Sequence, residues 1–84
     1  MPIVKQELRS LVTPDGAMIL DIAADELTTL NATGGYVWAR LREGKNIEEI
    51  IAMLARETGQ DAAVVTADVH EFVEQLNAQH LVTL

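Results

Sequence analysis

The chain has no cysteine, a single serine, one each of Trp, Tyr and Phe, and only six basic residues against thirteen acids. Each shortage removes a class of function. Without cysteine there is no disulfide framework, no zinc knuckle and no thiol nucleophile, a composition that fits a reducing compartment. No apolar run approaches the ~20 residues of a membrane span, and the opening MPIVKQELRS lacks the apolar core of a secretory signal. The expectation is a soluble, cytoplasmic protein. The shortage of positive charge leaves a net charge of −7, with Lys5, Arg9, Arg40, Arg42, Lys45 and Arg56 scattered along the chain. Phosphate backbones select clustered basic residues, because neutralising them releases counterions. Nucleic acid and anionic membranes are therefore poor partners, and a neutral or basic partner is favoured.

What remains is an ordinary globular composition, 49% apolar and 23% charged, over 84 residues. That length suits one domain, 1–84, and at this size folding buries only about 60–65% of the unfolded chain's surface. One small core fits; a deep internal pocket does not.

Hydrophobic spacing divides the chain in two. Residues 3–12, IVKQELRSLV, alternate loosely enough for a first strand. TPDG at 13–16 is a turn, since Pro presets φ and Asp-Gly tolerates positive φ. AMILDI then places Met18, Leu20 and Ile22 on one face and Ile19 and Asp21 on the other, and ELTTLN sets Leu27 and Thr29 opposite Thr28 and Leu30. Period-two alternation and adjacent β-branched threonines predict strands. Beyond Asn31 the period becomes 3.6. Asn31 or Thr33 caps a helix turning Val37, Trp38 and Leu41 inward, with Gly44 placed to end it. Asn46, with Glu49 three residues on, opens a second helix whose Ile47, Ile50, Ile51 and Leu54 form a core-facing stripe; Gly59 stops it. A third helix is expected over about 64–79, with Val65, Val69, Phe72, Val73 and Leu76 on one side, before an extended HLVTL end. The order β-β-β-α-α-α is an α+β class with segregated elements.

Catalytic constellations are lacking, and no catalytic residue, metal ligand or cofactor is expected. His70 and His80 stand ten residues apart without a partner at ligand spacing, so solvated helix-face residues are the expectation. Asp21, Asp25 and Glu26 are explained by turn chemistry. ATGG lacks the glycine pattern that cradles phosphate and fits a permissive helix entry with close packing. Ser10 has no activating base near it in sequence, and Trp38 sits at core spacing. A three-stranded sheet, however, has two edges, and an edge offers unpaired N–H and C=O groups that can receive an extended peptide as a further strand. ELTTL is short and β-prone, with Glu26 its only charge. It is either such a receiving edge or an ordinary structural strand, paired on both sides or shielded.

The string ILD…ELTTLNATGGYVWARLREGKNIEEIIAMLARE…VVTADVHEFVEQLNAQHLV resembles the PqqD-like family, named after pyrroloquinoline quinone biosynthesis protein D, over roughly residues 16–82. Its carrying features are the LNATGGYVW turn-into-helix, the EGKNIEEIIAML helix start, and ADVHEFVEQL followed by HLV. The resemblance implies a winged helix-turn-helix-like fold, a three-stranded antiparallel sheet followed by a three-helix bundle. It further implies a non-catalytic recognition element for ribosomally made, post-translationally modified peptides, binding the precursor's leader as an added strand and presenting it to a partner leader peptidase or other modifying enzyme. Carried onto this chain, the receiving strand is Glu26, Leu27, Thr28, Thr29 and Leu30, and the groove wall comes from Val65, Asp68, Val69, Glu71, Phe72, Gln75 and Leu76. Asp68 and Glu71 either pair with basic leader residues or are ordinary solvated carboxylates. AMILDIAADELTTLN departs from the Arg-and-Trp strand signature and Pro-Glu turn of the quinone-pathway members. LNATGG looks more like the stand-alone recognition proteins of lasso-peptide clusters, leaving a peptide chaperone for a radical enzyme as the alternative. A nucleic-acid-binding winged helix is the other competitor, and it is disfavoured by a third helix carrying Asp68, Glu71 and Glu74 without a Lys or Arg.

Overall fold

The change of period after Asn31 is the dividing line of the fold. The computed structural model describes residues 3–4 and 8–83. Thr13 and Gly16 close the turn that joins strand β2 (Leu8–Thr13) to strand β3 (Gly16–Asp21). A second turn leads to strand β4 (Glu26–Leu30), with Asp21 Oδ1 accepting from the Ala24 amide at 3.1 Å and Asp25 in the left-handed region at φ 54°. Asp21 and Asp25 thus do the turn work expected of them, whereas Glu26 opens β4 opposite Asp21. The three strands form an antiparallel meander in the order β2-β3-β4, so β2 and β4 are its edges.

The register sorts the side chains. Ser10, Ile19 and Thr28 lie in one row, and Val12, Ala17 and Leu30 in another, on the face turned toward the helices. Arg9, Leu20 and Leu27, and Leu11, Met18 and Thr29, form the corresponding rows of the opposite face. Ile19 is fully buried, whereas Met18 and Leu20 are exposed.

Three helices follow: α1 (Ala32–Arg42), α2 (Ile47–Thr58) and α3 (Ala62–Ala78). Asn31 caps α1 through its side chain, accepting from the Gly34 amide at 2.8 Å. Asn46 and Glu49 complete the capping box of α2, at 2.8 and 3.2 Å, and Gly59 ends that helix at φ 70°. Asp61 caps α3. Trp38, Val37, Ile50, Val65, Val69, Val73 and Leu76 join Ile19 in one core between sheet and helices. Burying such side chains is the main stabilising contribution, at roughly 1.5–3 kcal/mol each.

Two short strands were not distinguished in the sequence. β1 (Ile3–Val4) pairs antiparallel with β5 (Val82–Thr83), so the strand expected over 3–12 divides between two sheets. Residues 5–7 of that expected strand lie outside the described residues. β5 reaches its partner because α3 ends in a Schellman-type turn: His80 takes φ 62°, its amide donates to Asn77 O, and the Leu81 amide donates to Leu76 O at 2.9 Å. No described helix is long and apolar enough to cross a membrane.

Candidate functional site

β4 is short, carries one charge, and lies at the edge of the sheet with Glu26, Leu27 and Thr29 exposed. No described strand pairs with its outer side. Of the readings of ELTTL, pairing on both sides does not occur among the described strands.

Helix α3 reaches this strand with its own C-terminal end. Its residues divide into two stripes by 3.6-residue spacing. Val65, Val69, Val73 and Leu76 are buried and make the core stripe. Asp68, Glu71, Phe72 and Gln75 form the next stripe and line an open hollow of about 320 Å³. The structure therefore brings Asp68, Glu71, Phe72 and Gln75 together and places Val65, Val69 and Leu76 behind them, facing inward. One turn beyond Gln75, Gln79 accepts a hydrogen bond from Thr28 Oγ1 at 3.2 Å, which ties the end of α3 to the middle of β4. Asn31, the residue after Leu30 of β4, also lines the hollow, so the hollow adjoins the C-terminal end of the edge.

The opposite wall comes from the entry of α1: Asn31, Thr33, Gly34 and Val37. Sequence reasoning placed none of these in a site. Their signal was the glycine pair of ATGG, whose close packing now has an address. A Cβ on Gly34 would lie 2.7 Å from Phe72 Cε2, so the absent side chain is what lets the Phe72 ring settle against α1. Gln79 was missed as well, although it continues the stripe four residues after Gln75.

The hollow has a sign. Asp68 and Glu71 are exposed carboxylates on its rim, and no Lys or Arg lines it. Phe72 is the half-buried apolar surface between them. Such a groove takes an apolar side chain against the ring and tolerates a basic group at the rim. Among the described residues no group of three or more His, Cys, Asp or Glu is placed to hold a metal ion.

Gly34→Ala provides a specific check on the shape of this wall. The new methyl group meets the far end of the Phe72 side chain rather than backbone, so the ring moves and the fold persists. The expected outcome is a loss of at most about 1–2 kcal/mol in stability, as for a modest overpacking. A larger proportional effect is expected on any ligand seated on Phe72, measured by calorimetric titration beside thermal unfolding.

A model of the family described as coenzyme PQQ synthesis protein D (PqqD) matches residues 16–82. This chain belongs to the PqqD family. Two solved structures share its fold. One is described as TbiB1 in complex with the TbiA(beta) leader peptide; it has a TM-score of 0.88 and 26% identity, over 95% of this chain and 93% of that one. The other is described as lasso peptide synthetase B1 complexed with the leader peptide; it has a TM-score of 0.86 and 20% identity, over 99% of this chain and 98% of that one. No curated protein matches the chain. The three-stranded antiparallel sheet followed by three helices is thus the architecture that this PqqD-family chain shares with both neighbours.

Proposed function

We propose that this PqqD-family protein binds the leader segment of a ribosomally made precursor peptide, of the lasso class, as an added strand on β4. The 1–84 chain acts as one non-catalytic, cytoplasmic recognition domain that presents the bound precursor to a leader peptidase or other modifying enzyme. The observation that carries this reading is the coincidence of an unpaired strand edge, Glu26–Leu30, with an adjoining hollow floored by Phe72. Backbone pairing along the edge supplies affinity, and side chains entering the hollow supply selection. The likeness to two structures solved with leader peptides bound supports the same assignment.

In this reading every second leader residue faces α3, where Phe72, Gln75 and Gln79 receive apolar and polar groups and Asp68 and Glu71 favour a basic one. The remaining residues lie beside Leu27 and Thr29. A second reading, a peptide chaperone for a radical-enzyme pathway, is favoured by the family model itself, that of a quinone-synthesis protein. It uses the same edge and differs in the peptide received.

Titration of ¹⁵N-labelled protein with the synthetic leader of the precursor encoded beside its gene tests the proposal. Amide signals of residues 26–30 and 68–79 should shift together, with micromolar or tighter affinity. A saturating leader that left both regions unmoved would end the edge-strand mechanism. The leader of a quinone-pathway precursor, run in parallel, separates the two readings.

A further inference from the structure

The helices cover only one face of the sheet. On the other, Leu11, Met18, Leu20 and Leu27 are 60, 48, 39 and 63% exposed. The register makes them neighbours, since Leu11 faces Met18, and Arg9, Leu20 and Leu27 stand in one row across all three strands. Together with Arg9 and Ser10 they line a shallow hollow of about 310 Å³. No described element lies over it. Isolated exposed leucines are ordinary on a protein surface; a contiguous patch spanning a whole sheet is a mark of an interaction site.

Charge narrows the occupant. The chain carries thirteen acids, yet along the three strands this face presents Arg9 as its only charged side chain. A second copy stacked on the same face would bring together two chains of net charge −7, with no carboxylate among the described strand residues of either face to meet the other's Arg9. Like charges across an interface oppose association. A different protein, presenting apolar side chains and a carboxylate toward Arg9, fits better.

Position narrows it further. Leu27 and Thr29 belong both to this face and to the β4 edge. A peptide strand added to β4 extends the sheet, and its outward side chains join the same surface. Anything docked on the apolar face next to Leu27 therefore touches the bound peptide too.

We infer that the open face of the β2-β3-β4 sheet is the docking surface for the enzyme that acts on the bound peptide, and that this enzyme reads the face and the added strand together. The inference rests on the leader-binding reading for the identity of that strand. Because the two binding events share a surface, each raises the affinity of the other by the same factor. The empty protein offers an incomplete surface and holds the enzyme less tightly.

The test uses the full chain, its leader peptide and the purified leader peptidase encoded in the same gene cluster. Leader binding is followed by fluorescence anisotropy, peptidase binding by biolayer interferometry with and without saturating leader. The wild-type protein should bind the peptidase several-fold more tightly when loaded. The double substitution Leu11→Asp with Met18→Asp should keep leader affinity within twofold and weaken peptidase binding at least tenfold. Arg9→Glu, which retains the apolar area and spares the strand pairing, should weaken peptidase binding several-fold, with an unchanged circular dichroism spectrum for each variant. Unaltered peptidase affinity in both variants overturns the inference. So does sedimentation equilibrium showing a wild-type dimer that the double substitution dissociates, since the occupant is then a second copy. If the wild-type protein fails to bind leader, the leader-binding reading is what fails; peptidase binding to the empty protein then still reports on the face through the same variants.

Discussion

Thr28→Pro and Thr29→Pro are expected to give opposite results, although the residues are neighbours. In an antiparallel edge strand, successive residues alternate between directing their backbone groups at the partner strand and directing them outward. Thr28 stands opposite Ile19 and Thr29 opposite Met18. One of the two amides therefore belongs to the ladder with β3, and the other to the free edge. Proline removes the N–H in either case. Where the lost donor served the ladder, a buried acceptor on β3 is left without it and the domain loses about 1–3 kcal/mol. Where it pointed outward, folding changes little and a docked strand loses one backbone hydrogen bond, about tenfold in affinity. Chemical denaturation and leader titration on both variants would show the crossover. Two variants that melt and bind alike would mean that β4 does not receive its ligand by strand addition.

The second large effect concerns stability. Gly16→Ala should cost roughly 2–5 kcal/mol, combining strain at a disallowed backbone angle with overpacking. Gly16 has φ 151°, and a Cβ there would lie 2.0 Å from the carbonyl oxygen of Leu30. On its other side a Cβ on Gly35 would lie 2.8 Å from the Gly16 backbone. The start of β3, the end of β4 and the first turn of α1 thus meet as bare main chain. That junction fixes how α1 leaves the sheet, and so sets Asn31, Thr33 and Gly34 at the mouth of the hollow. A Gly16→Ala protein that melted within a degree of wild type would show that the junction is not tightly packed in solution.

Much of this was legible in the sequence, for reasons that differ by element. The 3.6-residue stripe of α2 and the Asn46–Glu49 capping pair are local signals, and the structure contains both as expected. The alternation in AMILDI and ELTTL likewise predicted the central and edge strands. The long first strand was misjudged because pattern alone cannot tell that Ile3 and Val4 find their partners at Thr83 and Val82. In the third helix, spacing gave the stripes but not their assignment. The burial of Val65, Val69 and Leu76, and the position of Asp68, Glu71, Phe72 and Gln75 on the hollow, depend on where α1 and α2 pack. Gly34 was recognisable as a close contact, but its partner Phe72 lies far along the chain.

The hydrogen bond from Thr28 to Gln79 joins residues 51 positions apart. β4 and the end of α3 are thus far apart in sequence and joined in space, and a peptide that contacts both closes a long loop without a covalent bond. A bound peptide then acts as a removable cross-link: it should slow hydrogen exchange at the end of α3 as strongly as along β4. Its contribution grows with its concentration as RT ln(1 + [L]/Kd), about 2.7 kcal/mol at a hundredfold excess over Kd. The precursor would in this way steady its own receptor for the time that it is held.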